Sequence, residues 1–346
     1  AGYTGDFQNG LKVLSKEPLA MVTRKGDQSW TDVVNWVLRA LIHAEMTNVT
    51  QSNANELNHG HHSSLGDDAV FTGINLVSAL EVAGNYGEIY ARNMQEVVPR
   101  KGLNLLYMAN SENQSGLHYS HPTGTIDEFR HEFAPESKIN LILGRGKLVC
   151  GVLGDENQSM EADYCRALTA SLFASDTSVV EFVKLSNEDN LMEKLDSGEV
   201  DVISGATIDF QSDIFPSNET ASGLSGLAFS QPYFYGGNHS NRFHPGLSET
   251  KAMATSQTDA EWSAFVYWIV ANLISAEENG ITSSDYREVP EVKLFGEKFE
   301  WMFRGSILGM GNYGEIYERN LESLSPRNNR NLLNDRSSPQ LWHPDF

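Results

Sequence analysis

One ten-residue stretch of this 346-residue chain occurs twice. Gly84-Asn85-Tyr86-Gly87-Glu88-Ile89-Tyr90-Ala91-Arg92-Asn93 returns as Gly311 to Asn320 with a single change, Ala91 to Glu318. Outward from that anchor, residues 30–50 align with 262–282, and eight of the 21 positions are identical, including Trp30 with Trp262 and Trp36 with Trp268. The offset is 232 at the tryptophans and 227 at the glycine-rich motif, so a five-residue length change lies between them. Such a change belongs in a surface loop. Residues 101–243 hold no third copy, so a repeated unit flanks a unique middle.

Each copy reads as a strand, a helix and the glycine-rich motif. In the first, Glu17 to Arg24 has strand character, Lys25-Gly26-Asp27 a turn, and Trp30, Val33, Val34, Val37 and Leu41 recur at three- and four-residue spacing. That spacing predicts one apolar helix stripe. The second copy repeats it with Trp262, Phe265, Val266, Ile269 and Leu273, and Gly280 supplies a helix stop absent from the first. Between the copies, strands over 147–152, 179–183 and 200–204 alternate with helices over 160–174 and 191–195, and 252–255, inside the second copy, reads as a returning strand. Strands alternating with helices predict an α/β sheet of βαβ units. The expected organisation is a first copy over 10–122, a linker over 123–143 containing Pro135, and one lobe over 144–344 that includes the second copy at 246–344.

The balance of 46 acidic and 25 basic residues gives a net charge of −21, which repels phosphate backbones and anionic lipid heads. Nucleic-acid and membrane-surface partners are therefore not expected. No apolar run approaches the roughly 20 residues that span a bilayer. The start at Ala1, without methionine or apolar leader, is read as a mature chain whose targeting segment has been removed. Five Asn-x-Ser/Thr sequons, at Asn48, Asn113, Asn157, Asn218 and Asn238, favour a secreted eukaryotic glycoprotein. The only two cysteines, Cys150 and Cys165, flank a strand-to-helix connection. An oxidising compartment would bond them, and a pair of buried free thiols is the alternative. His59, His61 and His62 could converge on a metal ion, but nothing nearby supplies a cysteine and the second copy has no equivalent histidines. A solvated loop is the preferred reading, with no metal and no cofactor.

Several stretches resemble successive landmarks of one family. They are Lys147 to Val152, Asp163 to Leu168, Asp196 to Ser204 and Gln231-Pro232-Tyr233-Phe234-Tyr235-Gly236, then Ser15 to Leu19, the Trp30 helix, Gly84 to Asn93 and Arg100 to Asn104. In that order they resemble the type II solute-binding proteins of bacterial ABC transporters for polar amino acids, the general amino-acid-binding branch. The resemblance implies a periplasmic-binding-protein-like α/β lobe plus a duplicated strand-and-helix segment. In that family a second lobe is inserted after the Pro-Tyr-Phe-Tyr landmark and traps the ligand. Here about ten residues separate Gly237 from Leu247, so that lobe is missing. The family follows the Ser204 landmark with Thr-rich, Arg-containing sequence that holds the ligand carboxylate. This chain has Gly205 to Asp213 without arginine, with Asp209 and Asp213 opposing a carboxylate and Ser204 and Thr207 as remnants.

No nucleophile elbow, phosphate loop, His-Glu-x-x-His or single reactive cysteine is present, and Gly309 to Gly314 matches Gly-x-Gly-x-x-Gly by spacing alone. An enzyme is not expected. The favoured expectation is a non-catalytic secreted glycoprotein with a structural, storage, matrix or egg-fluid role. The alternative is an extracellular binder of a polar amino acid or other small ligand in a remnant or intersubunit cleft. The first copy, exposing an apolar stripe with no βαβ half of its own, must pack on its own lobe or on a neighbour, and a homo-oligomer is the expected outcome.

Overall fold

The computed structural model describes residues 20–24, 27–46, 48–54, 76–97, 99, 133, 135–156, 158–186, 190–208, 218–220, 223–234, 250–291, 299–324 and 327. The main sheet begins with β1 (Leu148–Val152), followed by α5 (Met160–Leu172), β2 (Val180–Lys184), α6 (Leu191–Asp196) and β3 (Val202–Thr207). These pair in parallel, β2 with β1 and β1 with β3. A small hairpin of β4 (Asn218–Thr220) and β5 (Gly223–Ser225) stands apart. The sheet is completed by β6 (Leu227–Phe229) and β7 (Lys251–Ser256), giving the order β2-β1-β3-β7-β6. β7 runs antiparallel to both neighbours, so the edge left open by the βαβ half is closed by a strand from later in the chain.

Both faces of this sheet are covered, as a parallel sheet requires. Along β1 the side chains alternate, Leu148, Cys150 and Val152 joining the main core and Val149 a second cluster with Leu195, Val200 and Ile203. Under the main face lies α7 (Ala260–Glu278), where Trp262, Phe265, Val266 and Ile269 are all buried. Trp262 also donates its Nε1 hydrogen to the carbonyl of Asp201, 2.8 Å away, which satisfies the indole as it is buried. Then α8 (Met302–Met310) packs along α5, with Gly305 and Gly309 so close that an added Cβ would come within 2.8 Å of Ala170. Finally α9 (Tyr313–Asn320) brings Arg319 and Asn320 to Asp163 of α5, at 3.0 and 2.8 Å.

The first copy forms α1 (Gln28–Met46), α2 (Leu76–Ala83) and α3 (Tyr86–Asn93). Its local hydrogen bonds reproduce those of the second. Asp27 Oδ1 caps Trp30 N at 3.2 Å as Asp259 Oδ1 caps Trp262 N at 2.9 Å. Thr23 meets Thr31 at 2.6 Å as Thr255 meets Ser263 at 2.7 Å. Asn85 and Asn312 each open a capping box with the glutamate three residues on, and each donates to a carbonyl, of Val49 or Ile281, at 2.7 Å. Gly84 and Gly311 sit at φ 74 and 83, a left-handed conformation natural for glycine at the turn before those caps.

Three expectations need correction. The first copy does have a helix stop, because Asn48 takes the left-handed φ of 61 where Gly280 has 69. Asparagine is the residue best able to replace glycine there. The 123–143 linker is too long, since α4 (Lys138–Arg145) lies partly within it and buries Ile139 and Ile142 in the lobe core. Its first turn is tied to α7, with Lys138 N donating to Asp259 Oδ2 at 3.1 Å. The α1 stripe is also only partly covered, with Val33, Val34, Val37 and Leu41 half-buried. Trp30 is 56% exposed, whereas Trp36, on another face, is 1% exposed and belongs with Val33 to the main core cluster of the lobe. The first copy therefore docks intramolecularly through Trp36, which periodicity did not single out, together with Val33 of the stripe, helped by Gln257 Nε2 donating to Asp32 at 3.3 Å.

Replacing Trp262 or Phe265 by alanine is expected to cost about 3–5 kcal/mol each. Trp30→Ala, which removes a half-solvated ring, should cost less than about 1 kcal/mol. Urea unfolding of the three variants checks the contrast.

Candidate functional site

In an open α/β sheet the carboxyl ends of the parallel strands are where a ligand would sit. Here those ends are β1, leading through Leu153 and Gly154 to α5, and β3, ending in Ser204 to Thr207. Ser159 caps α5 through Ala162 N at 3.1 Å, and this places Glu161 in its first turn, aimed at the strand ends. The register of β3 against β7 slips between Ser204 and Ala206, so Gly205 is the extra residue of a β-bulge. Gly205 has φ +90, and a Cβ there would lie 2.8 Å from Glu161 Cγ. Glycine is required on both counts. Because Ser204 pairs with Met253 and Thr207 with Lys251, two residues apart on β7, the bulge puts Ser204 and Thr207 on one sheet face.

The polar groups gathered there satisfy one another. Lys251 Nζ lies 3.0 Å from Glu161 Oε1, with side-chain exposures of 15% and 11%. Ser204 Oγ lies 3.2 Å from the Tyr233 hydroxyl, and both residues are fully buried. The Tyr233 ring stacks on Tyr164 with centroids 4.0 Å apart, and its carbonyl accepts from Tyr313 Oη at 2.7 Å. Burial, and then the nearby Glu161 carboxylate, push the Tyr233 phenol well above its usual range, against the opposing hydrogen bonds to Ser204 and Gly205. Tyr233 is thus a neutral hydroxyl at the base of the site.

Behind it, Cys150 of β1 and Cys165 of α5 are joined as a disulfide, with Cα atoms 6.1 Å apart, tying the strand to the helix that carries Glu161. The sequence placed Ser204 and Thr207 at the site and missed Glu161, Lys251 and Tyr233. Tyr233 carried a signal in the Pro-Tyr-Phe-Tyr landmark. Asp209 and Asp213 fall outside the described residues, as do His59, His61 and His62, and no group of three or more potential metal ligands occurs among the described residues. Of the sequon asparagines, Asn48 is exposed at the end of α1 and Asn218 begins β4, while Asn113, Asn157 and Asn238 are outside the described set.

The chain is similar to the general L-amino acid-binding periplasmic protein AapJ of Rhizobium johnstonii, 33% identical over 126 residues, covering 32% of this chain and 36% of that protein. It is similar at 30% identity to the putative amino-acid ABC transporter-binding protein YhdW of Escherichia coli, covering 32% and 35%, and to the glutamate/glutamine/aspartate/asparagine-binding protein BztA of Rhodobacter capsulatus, covering 32% and 36%. Its relatives are periplasmic amino-acid-binding proteins. They are solute binders and not enzymes, and the match spans about a third of their length. No protein-family model matches the chain. A solved periplasmic binding protein from Brucella ovis with glutathione bound aligns over 55% of this chain and 92% of its own at 21% identity, with a TM-score of 0.40. No helix among the described residues is long and apolar enough to cross a membrane.

Two measurements probe the site. Lys251→Met strands the Glu161 carboxylate and should cost about 3 kcal/mol, most of it recovered by adding Glu161→Gln; urea unfolding of the single and double variants reads this. With a phenol pKa raised above the usual 10.0, Tyr233 contributes stability that is fully present below that pH and lost as pH rises through its folded value. Tyr233→Phe should flatten the alkaline side of the stability profile.

Proposed function

We propose that this chain acts outside the cytoplasm as a secreted, acidic, non-catalytic glycoprotein built on an amino-acid-binding lobe, with a structural, storage or matrix role. The observation that carries this is the mutual satisfaction of the site. The Glu161–Lys251 pair and the Ser204–Tyr233 bond use up the charges and hydroxyls that a bound amino acid would need. A ligand would have to break both, then gain enough to offset the exposed pair, with no second wall of protein to exclude water. The sequons support passage through a secretory route, and the relatives' periplasmic location supports an extracytoplasmic one.

A second reading is favoured by one feature of the same pair. An acid and a base side by side at the strand ends are complementary to the ammonium and carboxylate of a zwitterion, so a free amino acid could replace their mutual contact. Isothermal calorimetry of the purified full chain against each proteinogenic amino acid separates the readings. Silence at micromolar protein is expected. Heat with a micromolar or tighter dissociation constant, abolished by Lys251→Met, would establish the second.

A further inference from the structure

Glu161 is used unlike the first-turn glutamates of α3 and α9. Glu88 and Glu315 turn back onto the caps of their own helices. Glu161 does not, because Ser159 caps α5 through Ala162 N at 3.1 Å. Its carboxylate instead reaches a strand 90 residues away, where Oε1 lies 3.0 Å from Lys251 Nζ. The space it fills is shaped for it. A Cβ on Gly205 of the bulge would stand 2.8 Å from Glu161 Cγ, and one on Gly154, beyond the end of β1, would stand 3.3 Å from Oε2. Two glycines and a lysine therefore bound the side chain, and at 11% exposure it is largely withdrawn from water. The carboxylate also lies near enough to the Tyr233 phenol to raise it, in addition to the larger effect of burial.

We propose that the slot between Gly154, Gly205 and Lys251 is a binding site for small monocarboxylate anions, held closed by the chain's own Glu161 as an autoinhibitory contact. The inference rests on the reading above that the Glu161–Lys251 pair closes the site on itself, and it assigns what the pair excludes. A lysine ammonium is one half of a charge-assisted pair, and a carboxylate of the right size supplies the other. Glu161 prevails because it is tethered, which gives it an effective concentration that a free anion of the same chemistry does not match. This slot is not the carboxylate grip implied by the resemblance, which would be built from the sequence following Ser204; its cation comes from the neighbouring strand β7. Truncating Glu161 to alanine removes Cγ, Cδ, Oε1 and Oε2, which are the heavy atoms of an acetate ion. The vacated space therefore selects acetate.

The test adds acetate to the full chain and its variants at constant ionic strength, with chloride and acetamide as controls. It reads urea unfolding together with line broadening of isotope-labelled acetate. Glu161→Ala should bind acetate with a dissociation constant of about 10 mM, so that roughly 0.1 M acetate multiplies its folding constant about tenfold. Acetamide, equal in shape but uncharged, should leave it unchanged. The wild-type chain and Glu161→Gln, in both of which the slot stays full, should not respond, and neither should the Glu161→Ala, Lys251→Met double variant. If Glu161→Ala is unfolded in chloride, the readout becomes recovery of the fold as acetate is added. Failure of acetate to stabilise or refold Glu161→Ala, or an equal response in Glu161→Gln or the double variant, would overturn the inference. Amino-acid heat from the wild-type chain, read separately, would overturn the underlying reading even where Glu161→Ala takes up acetate.

Discussion

The open edge of β3 is the constraint on which the rest of the lobe depends. A three-strand parallel half-sheet with an apolar underside leaves unpaired backbone groups on one side and an uncovered face below. β7 resolves the first and α7 the second, and both arrive from a segment that follows the unique middle. That arrival also builds the site. Inserting β7 against β3 requires the bulge at Gly205, brings Lys251 over the start of α5, and sets Tyr233 beneath Ser204. The clamp of Arg319 and Asn320 on Asp163 then locks the closing segment to the helix whose N-terminus carries Glu161.

Burial explains why the site is so fully paired. A carboxylate and an ammonium that are each mostly withdrawn from water lose hydration that only a close opposite charge offsets. In a two-lobed protein a ligand can supply that charge. Here the compensating group comes from the chain, and Glu161 and Lys251 meet that need with each other. The same reasoning accounts for Tyr233, whose hydroxyl would be a costly orphan without Ser204 and the Gly205 backbone.

What the sequence revealed depended on whether the deciding partner was local. The α/β alternation, the returning strand and the burial of Trp262 were legible because apolar runs and helical periodicity report them directly. The same periodicity was misleading in α1, where Trp30 matches Trp262 in pattern and differs in exposure. A stripe says that a face is apolar, not what covers it. Asn48 escaped notice because its left-handed conformation belongs to the turn and asparagine tolerates it without advertising it. At the site, Ser204 was legible through the resemblance, but the Glu161–Lys251 pair joins residues 90 apart across a fold and leaves no local trace.

The duplication provides an internal control that single domains lack. Capping boxes, helix stops and the threonine or serine contacts behind each strand recur in both copies, because each is made within the copy. Exposure diverges where the second copy leans on β3, α5 and Tyr233, and in the reverse sense at Trp36, buried on the lobe where Trp268 is half-buried. The closing segment therefore encodes its own shape, through helix ends and turns that satisfy their backbone groups locally, before any sheet is present to receive it. Covering its apolar stripe is a separate matter that the segment cannot accomplish alone, and this is why two nearly identical motifs finish in such different surroundings.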